Sequence, residues 1–409
     1  MQKKVLIAGA GASGMCAAIV CARAGALVTV IEKSDYAGKK LSMTGNGRCN
    51  LSNEEMRAED YNIRAVPRMK KWLARFGTED TVAFFRSLGM IVRSEDGYLY
   101  PYSGQAMSVT DLLQGEMKRL GVSLILHTQL KEISRDQETG TLLIRTSGES
   151  YQADAVILAT GGMSGPKATA STGDGYYIAG RFGIASTKRL PALVQLLSRD
   201  ETLPQEAGVR MEAEVTFRSQ GQEIAREEGE LQITAHGISG IPVMQASGIV
   251  AEYLAEGKKV TAEIDFFPGY PEDEFERMIQ EMTELRAGAS VADLLEGFCN
   301  VHVNQMILKR LKMDGRTLLQ DIPDRKRREI LRSYRCTSVE ISETGNYQQS
   351  QVTTGGICLE ELTDELEAVK APGIFFAGEL ADVDGRCGGY NLQWAWMSGT
   401  IAGRAAAEW

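Results

Sequence analysis

Residues Val5 to Gly14 read Val-Leu-Ile-Ala-Gly-Ala-Gly-Ala-Ser-Gly, an apolar run that ends in Gly9-x-Gly11-x-x-Gly14 and passes directly into an alanine-rich helical stretch. Strand, glycine turn and helix in that order form a dinucleotide cradle. The first glycine permits the tight turn, the second lets the backbone approach a pyrophosphate, and the third lets the helix lie close on the strand, so the phosphates meet the positive helix end. A second apolar strand follows at Leu27 to Ile31. It is closed by Glu32, twenty-three positions after Gly9, where a carboxylate can accept hydrogen bonds from ribose hydroxyls. The candidate cofactor residues here are Gly9, Gly11, Ala12, Ser13, Gly14, Glu32 and the adjoining Lys33.

Three further segments narrow the dinucleotide. Ala159-Thr160-Gly161-Gly162 follows the strand Ala155 to Leu158, yet it lacks the third glycine and the acidic residue of a second, nicotinamide-binding cradle. FAD alone is therefore expected in the nucleotide site. Far downstream, Gly373-Ile-Phe-Phe-Ala-Gly378-Glu379 is a short apolar strand that ends in a glycine and a carboxylate, suited to ribityl hydroxyls. Gly388-Gly389-Tyr390-Asn391-Leu392 then opens a helix that runs through Trp394, Met397, Ile401 and Ala405. Free amides at its start would face the flavin N1 and C2 carbonyl, and the helix dipole would stabilise the negative charge of the reduced ring.

At 409 residues the chain exceeds one ordinary core. Strand and helix patterns alternate up to residue 189, which predicts an α/β, doubly wound, Rossmann-like layer. From residue 190 to 267 the texture becomes strand-like, in Ala192 to Leu197, Ala213 to Phe217, Glu230 to Thr234 and Val260 to Ile264, which predicts an inserted antiparallel β-barrel. Residues 268–345 turn helical and charged, and the basic run Arg325 to Arg328 reads as a solvated helix face. The FAD domain is thus expected to be discontinuous, from 1–189 and 346–409.

Lys plus Arg number 45 against 54 Asp plus Glu, a net charge of −9, which disfavours a nucleic-acid or anionic-membrane partner. Seven cysteines, an odd number without metal-ligand spacing, read as reduced thiols. Glycines and Arg23 interrupt the apolar run after Lys3-Lys4, which therefore reads as the cradle and not as an export signal. A cytoplasmic enzyme is expected, with no metal; the oligomeric state is not legible.

Six ordered segments carry a family resemblance: Gly9 to Gly14, Lys39 to Asn50, Thr160 to Lys167 with Ser171 to Tyr176, Thr234 to Pro242, Val352 to Gly356, and Gly378 to Gln393. Together they make the chain resemble the YhiN/BaiN-like flavoproteins, which include enzymes described as aminoacetone oxidases and bile-acid reductases. The resemblance implies bound FAD and a small-molecule substrate. It also implies that Arg48 and the backbone amides of Gly45-Asn-Gly47-Arg48 border the flavin or its pyrophosphate, with Lys40 in the same segment; a turn with an exposed Arg is the alternative. One branch implies reduction of a conjugated enone, with NADH or NADPH docking transiently as electron donor. The other implies oxidation of an amine by O₂, and a redox sensor with negligible turnover is a third alternative.

Chemistry is expected where the flavin ring meets the insert, since pockets favour domain interfaces. Of three histidines, His236 sits in a turn bounded by Gly237, Ser239 and Pro242 and is the candidate proton carrier, with a structural role as the alternative. Tyr390 either covers the flavin or staples the helix start. Cys49 and Cys387 lie in flavin-proximal motifs, but packed free thiols are the preferred reading.

Overall fold

Strand β1 (Lys4–Ala8) pairs in parallel register with β2 (Leu27–Ile31) on one side and with the strand Ala155–Leu158 on the other, and helix α1 (Ala12–Arg23) connects the first two. The computed structural model describes residues 2–203 and 208–409. They divide into two units, Met1–Leu190 with Gln351–Trp409, and Pro191–Ser350.

The sheet of the first unit runs in the order Ile374–Phe376, Ala155–Leu158, β1, β2, Ser123–Ile125. The strand sequence therefore reverses direction between β1 and Ala155–Leu158, which makes the crevice beyond the C-terminal ends of those two strands the natural ligand position. Val5, Leu6, Ile7 and Ala8 are all buried, as are all four residues of Ala155–Leu158. Coverage on both faces explains why these strands read as continuous apolar runs and do not alternate.

The C-terminal helix Tyr390–Glu408 lies along α1, backbone to backbone: a Cβ on Gly399 would collide with the Ser13 carbonyl, and one on Gly403 would stand 2.9 Å from that of Ala17. Cys21 Sγ donates to the Gly403 carbonyl at 3.1 Å, and Cys16 Sγ lies 3.4 Å from that of Trp396. Burial pushes both thiols up to about 12, so they serve as neutral donors inside the core.

In the second unit a seven-stranded antiparallel sheet runs in the order Thr337–Ile341, Val260–Asp265, Val209–Ser219, Gln222–Thr234, Gly237–Gly240, Leu196–Leu197, Glu343–Thr344. Its two outer strands are consecutive in the chain, joined through Ser342. A fifteen-residue helix, Ile241–Ala255, packs on this sheet inside the region that the sequence reads as strands alone. Its first eleven residues, Ile-Pro-Val-Met-Gln-Ala-Ser-Gly-Ile-Val-Ala, offer almost no polar face, so the helical period leaves no trace; Pro242 at its first turn was the available signal.

Helices Glu272–Leu285, Val291–Leu295, Val301–Arg310 and Asp324–Arg335 complete the unit, and Phe217 of the sheet shares one buried core with Phe275 and Tyr334 of the helices. The basic run lies on the last helix. Arg325 and Arg328 are exposed, whereas Arg327 turns inward and donates to the Leu319 carbonyl at 3.0 Å. Among the described residues no helix is long and apolar enough to cross a membrane.

Candidate cofactor and active site

The three cradle glycines stand at the point where the strand order reverses, and they differ in what holds them. A Cβ on Gly9 (φ +107°) would collide with the Ala159 carbonyl oxygen, and one on Gly14 with the carbonyl oxygen of Gly9. Those two are required by the protein's own packing. A Cβ on Gly11, at an ordinary φ of −81°, would meet nothing within 4 Å. Gly11 is also the N-cap of α1, with no side-chain cap and no acidic residue in the first turn, which includes Ala12 and the buried Ser13. A helix start with uncapped amides facing open space is what a diphosphate requires. Glu32 is fixed beside it: Oε2 accepts the Ala10 amide at 2.8 Å and Oε1 accepts the Ser34 amide at 2.8 Å.

Segments distant in sequence converge on the cradle. A Cβ on Gly378 would come within 2.5 Å of Ser13 Oγ. Glu379 accepts the Thr353 amide on Oε1 at 2.8 Å and Lys40 Nζ on Oε2 at 2.5 Å, so Lys40, Glu379 and Thr353 form one cluster. Lys33 Nζ reaches Asp174 Oδ2 at 2.7 Å and Thr172 Oγ1 at 2.6 Å, tying the end of β2 to the segment after Gly161. Burial would raise the Asp174 carboxyl, but bonds from Lys33, Gln129 and Thr172 leave it below its ordinary value. Helix Asp174–Arg181 starts at Gly173 without a side-chain cap, and Asp174 is engaged by Lys33. Thr160 Oγ1 and Asn50 Oδ1 are buried without a hydrogen-bond partner. Two orphaned polar atoms, that of Thr160 next to Gly9 of the cradle and that of Asn50 next to the Gly45 loop, fit a polar ligand such as FAD.

Arg48 stacks over the Tyr100 ring, 4.2 Å from its centroid, and pairs with Glu95 at 2.6 Å. It closes an exposed loop, Gly45 to Gly47, whose three residues all lie in the left-handed region. Tyr390 is buried edge-on against Tyr61 at 6.0 Å, and its hydroxyl donates to the Glu55 carbonyl at 3.3 Å. Gly389 (φ +98°) precedes it as an N-cap without a side-chain bond, so the C-terminal helix also begins uncapped. Asn391 clamps the preceding loop to that start, accepting the Gly385 amide at 2.9 Å and donating to its carbonyl at 2.8 Å, and Leu392 is half-buried beside it.

His236 belongs to the second unit, exposed in the turn between Gln222–Thr234 and Gly237–Gly240, its carbonyl accepting the Ser198 amide at 2.9 Å. Cys49 is a buried thiol that burial pushes up to about 12, and Cys387 is half-buried; neither is in a disulfide.

One cluster escaped the sequence reading. Asp382 and Asp384 stand two apart inside the Gly378 to Gln393 motif, a spacing that was the available signal. Arg64 binds Asp382 through Nε at 2.7 Å and Nη2 at 3.1 Å, and Thr187 donates to it at 3.0 Å. Asn62 Nδ2 donates to Asp384 at 2.7 Å and also lies 3.4 Å from Asp382 Oδ1. Burial, with the Asp382 charge adding, pushes Asp384 up to about 7 against the bonds from Asn62 and Thr354 and the Arg64 charge.

The model of the HI0933-like protein Rossmann domain matches residues 3–405. The chain is 37% identical over 410 residues to a 3-dehydro-bile acid delta(4,6)-reductase of Clostridium scindens, covering 100% of both. It is 29% identical to a ribosomal RNA dihydrouridine synthase of Escherichia coli, over 96% of this chain and 95% of that one. Among solved structures, a 3-ketosteroid delta1-dehydrogenase from Sterolibacterium denitrificans superposes over 100% of both chains with a TM-score of 0.52 at 13% identity, a likeness of fold alone.

Proposed function

The chain belongs to the HI0933-like Rossmann-domain family and is an FAD-dependent oxidoreductase; from that premise we propose that it saturates a carbon–carbon double bond conjugated to a carbonyl. The full-length identity of 37% to the bile-acid reductase carries the substrate class. The second relative's name supports it from another direction, because a uridine that becomes dihydrouridine also loses a double bond conjugated to a carbonyl. The substrate proposed first is a 3-oxo-4-ene of bile-acid or steroid type, and NADH or NADPH docks transiently as the electron source.

Bound FAD would supply hydride at its N5 position. The rest falls to the protein. The α1 start at Gly11, Ala12 and Ser13 would hold the pyrophosphate, Glu32 the adenosine ribose, and the Glu379–Lys40 pair, Thr160 and Gly161 the remainder of the chain between phosphates and ring. The uncapped start at Gly389 and Tyr390 would place a positive dipole end where the reduced ring gathers negative charge. Arg48, on its left-handed loop, and Tyr390 are proposed to border the ring; the proton falls to a side chain of the protein, His236 of the second unit or a carboxyl of the first, and the two are set against each other below.

The test is anaerobic. The holoprotein is mixed with NADH, NADPH, aminoacetone, a 3-oxo-4-ene steroid and a uridine-containing RNA in turn while the flavin absorbance is followed. Bleaching by a nicotinamide and recovery with the steroid is the expected result. Bleaching by the amine would replace the reductase with an amine oxidase, and recovery only with the RNA would move the substrate to a nucleic acid.

A further inference from the structure

We infer that Asp384 is the residue of the first unit that delivers the proton completing reduction of the double bond, a role that rests on the reductase proposed above. Both carboxyl groups feel the same cation, Arg64, which is bonded to Asp382 and acts on Asp384 through its charge. Arg64 presents both Nε and Nη2 to Asp382, and Thr187 adds a third donor there, so the buried Asp382 is met by a guanidinium and a hydroxyl. Asp384 receives neutral donors only, the Asn62 amide at 2.7 Å and the Thr354 hydroxyl. A carboxyl in such surroundings, beside a second carboxylate, is the one that keeps a proton at neutral pH. Its own loop contributes Asp382 and, two residues on, Arg386. The segment 60–64 contributes Arg64 and Asp60, whose carboxylate pairs with Arg57 at 3.2 Å, and the strand Val352–Thr354 contributes no charge.

Its position suits the task. In the chain Asp384 falls between Glu379 and the helix start at Tyr390, and the adjoining residues Thr353 and Thr354 bond Glu379 and Asp384 respectively. Its carbonyl accepts the Asn62 amide at 2.9 Å, and the next residue, Gly385, bridges to Tyr61 and is clamped by Asn391. The backbone is thereby fixed on both sides. Asp382 is buried, whereas Asp384 retains partial exposure, which proton delivery requires.

The step balances as follows. Bound reduced FAD would supply hydride to the carbon β to the carbonyl, the π pair would form the new bond between the α carbon and the Asp384 proton, the O–H pair would remain on the carboxylate, and solvent would return a proton to it.

The experiment is single-turnover oxidation of photoreduced holoprotein by a 3-oxo-4-ene steroid between about pH 5 and pH 9, comparing wild type with Asp384→Asn, Asp384→Glu and His236→Ala. The expected wild-type rate falls as pH rises through the neutral range, because the protonated carboxyl is the active form. Asp384→Asn keeps its flavin spectrum but loses roughly 100-fold or more in rate, together with that pH dependence, and Asp384→Glu recovers much of the rate on a displaced profile. Three results overturn the inference. One is an Asp384→Asn protein with the wild-type rate and profile; another is loss of flavin in both Asp384 variants; the third is a pH-dependent step that disappears only in His236→Ala. Wild type that binds FAD but is never reoxidised by the enone refutes the reductase itself, and it does so before any variant is compared.

Discussion

Lys40 and Glu379, 339 positions apart in the chain, meet with 2.5 Å between Nζ and Oε2, while the other carboxylate oxygen of Glu379 accepts the Thr353 amide. The contact joins the glycine-rich loop after β2 to the motif before the C-terminal helix. Partly exposed pairs of this kind contribute little to stability, about 1 kcal/mol or less. Replacing Lys40 with alanine is therefore expected to leave the thermal midpoint nearly unchanged and to weaken FAD retention, by roughly tenfold. Equilibrium dialysis of FAD against a melting curve separates the two effects; a large fall in the midpoint with unaltered retention would give the pair a purely structural role.

The cradle glycines predict opposite phenotypes. Gly11→Val adds a side chain where no protein atom lies within 4 Å, so the variant is expected to fold and to purify colourless. Gly14→Ala drives its Cβ into the Gly9 carbonyl and is expected to cost about 1–3 kcal/mol of stability whether or not cofactor is present. Urea titration and the flavin spectrum of both proteins check this, and a yellow, folded Gly11→Val would contradict the placement of the pyrophosphate.

Asp384 also predicts how stability depends on pH. Its carboxyl is raised from an ordinary 3.8 to about 7 in the folded protein, so between those values the folded state binds more protons than the unfolded one. Stability is present at the acid end of that window and is lost as pH rises through it. Asp384→Asn removes the dependence, so its advantage over wild type should be absent near pH 4 and reach about 1–2 kcal/mol near pH 8, after allowance for partial exposure and screening. Denaturant midpoints at the two pH values, measured without cofactor, test the sign; an advantage that grows toward acid would refute it.

The thiols predict a labelling order. Cys336 is exposed and should be alkylated first, while Cys16, Cys21 and Cys49, buried and pushed up to about 12, should resist until the protein unfolds. Mass spectrometry after timed alkylation gives the order directly. A Cys49–Cys387 disulfide formed in the native state would contradict it.

The cradle was legible because its glycines answer to local rules: Gly9 to a turn, Gly14 to a close backbone approach, and Glu32 to a strand end. Helix Ile241–Ala255 was not, because a helix apolar nearly all round carries no period. The Asp382–Asp384 cluster was illegible for a different reason. Its donors, Asn62, Arg64, Thr187 and Thr354, come from three stretches of chain far from the motif, and no spacing rule connects them. The expectation against a nucleic-acid partner rested on net charge alone, which says nothing of a local surface, and the name of one relative keeps an RNA among the substrates to be tried.

The central claim is tested most directly by the product of a single turnover. The FAD-loaded protein, reduced anaerobically and mixed with one equivalent of a 3-oxo-4-ene steroid, should regain oxidised flavin while the steroid gains two hydrogens across its double bond. Reduced flavin that persists beside unchanged steroid, and yields only to O₂, would contradict it.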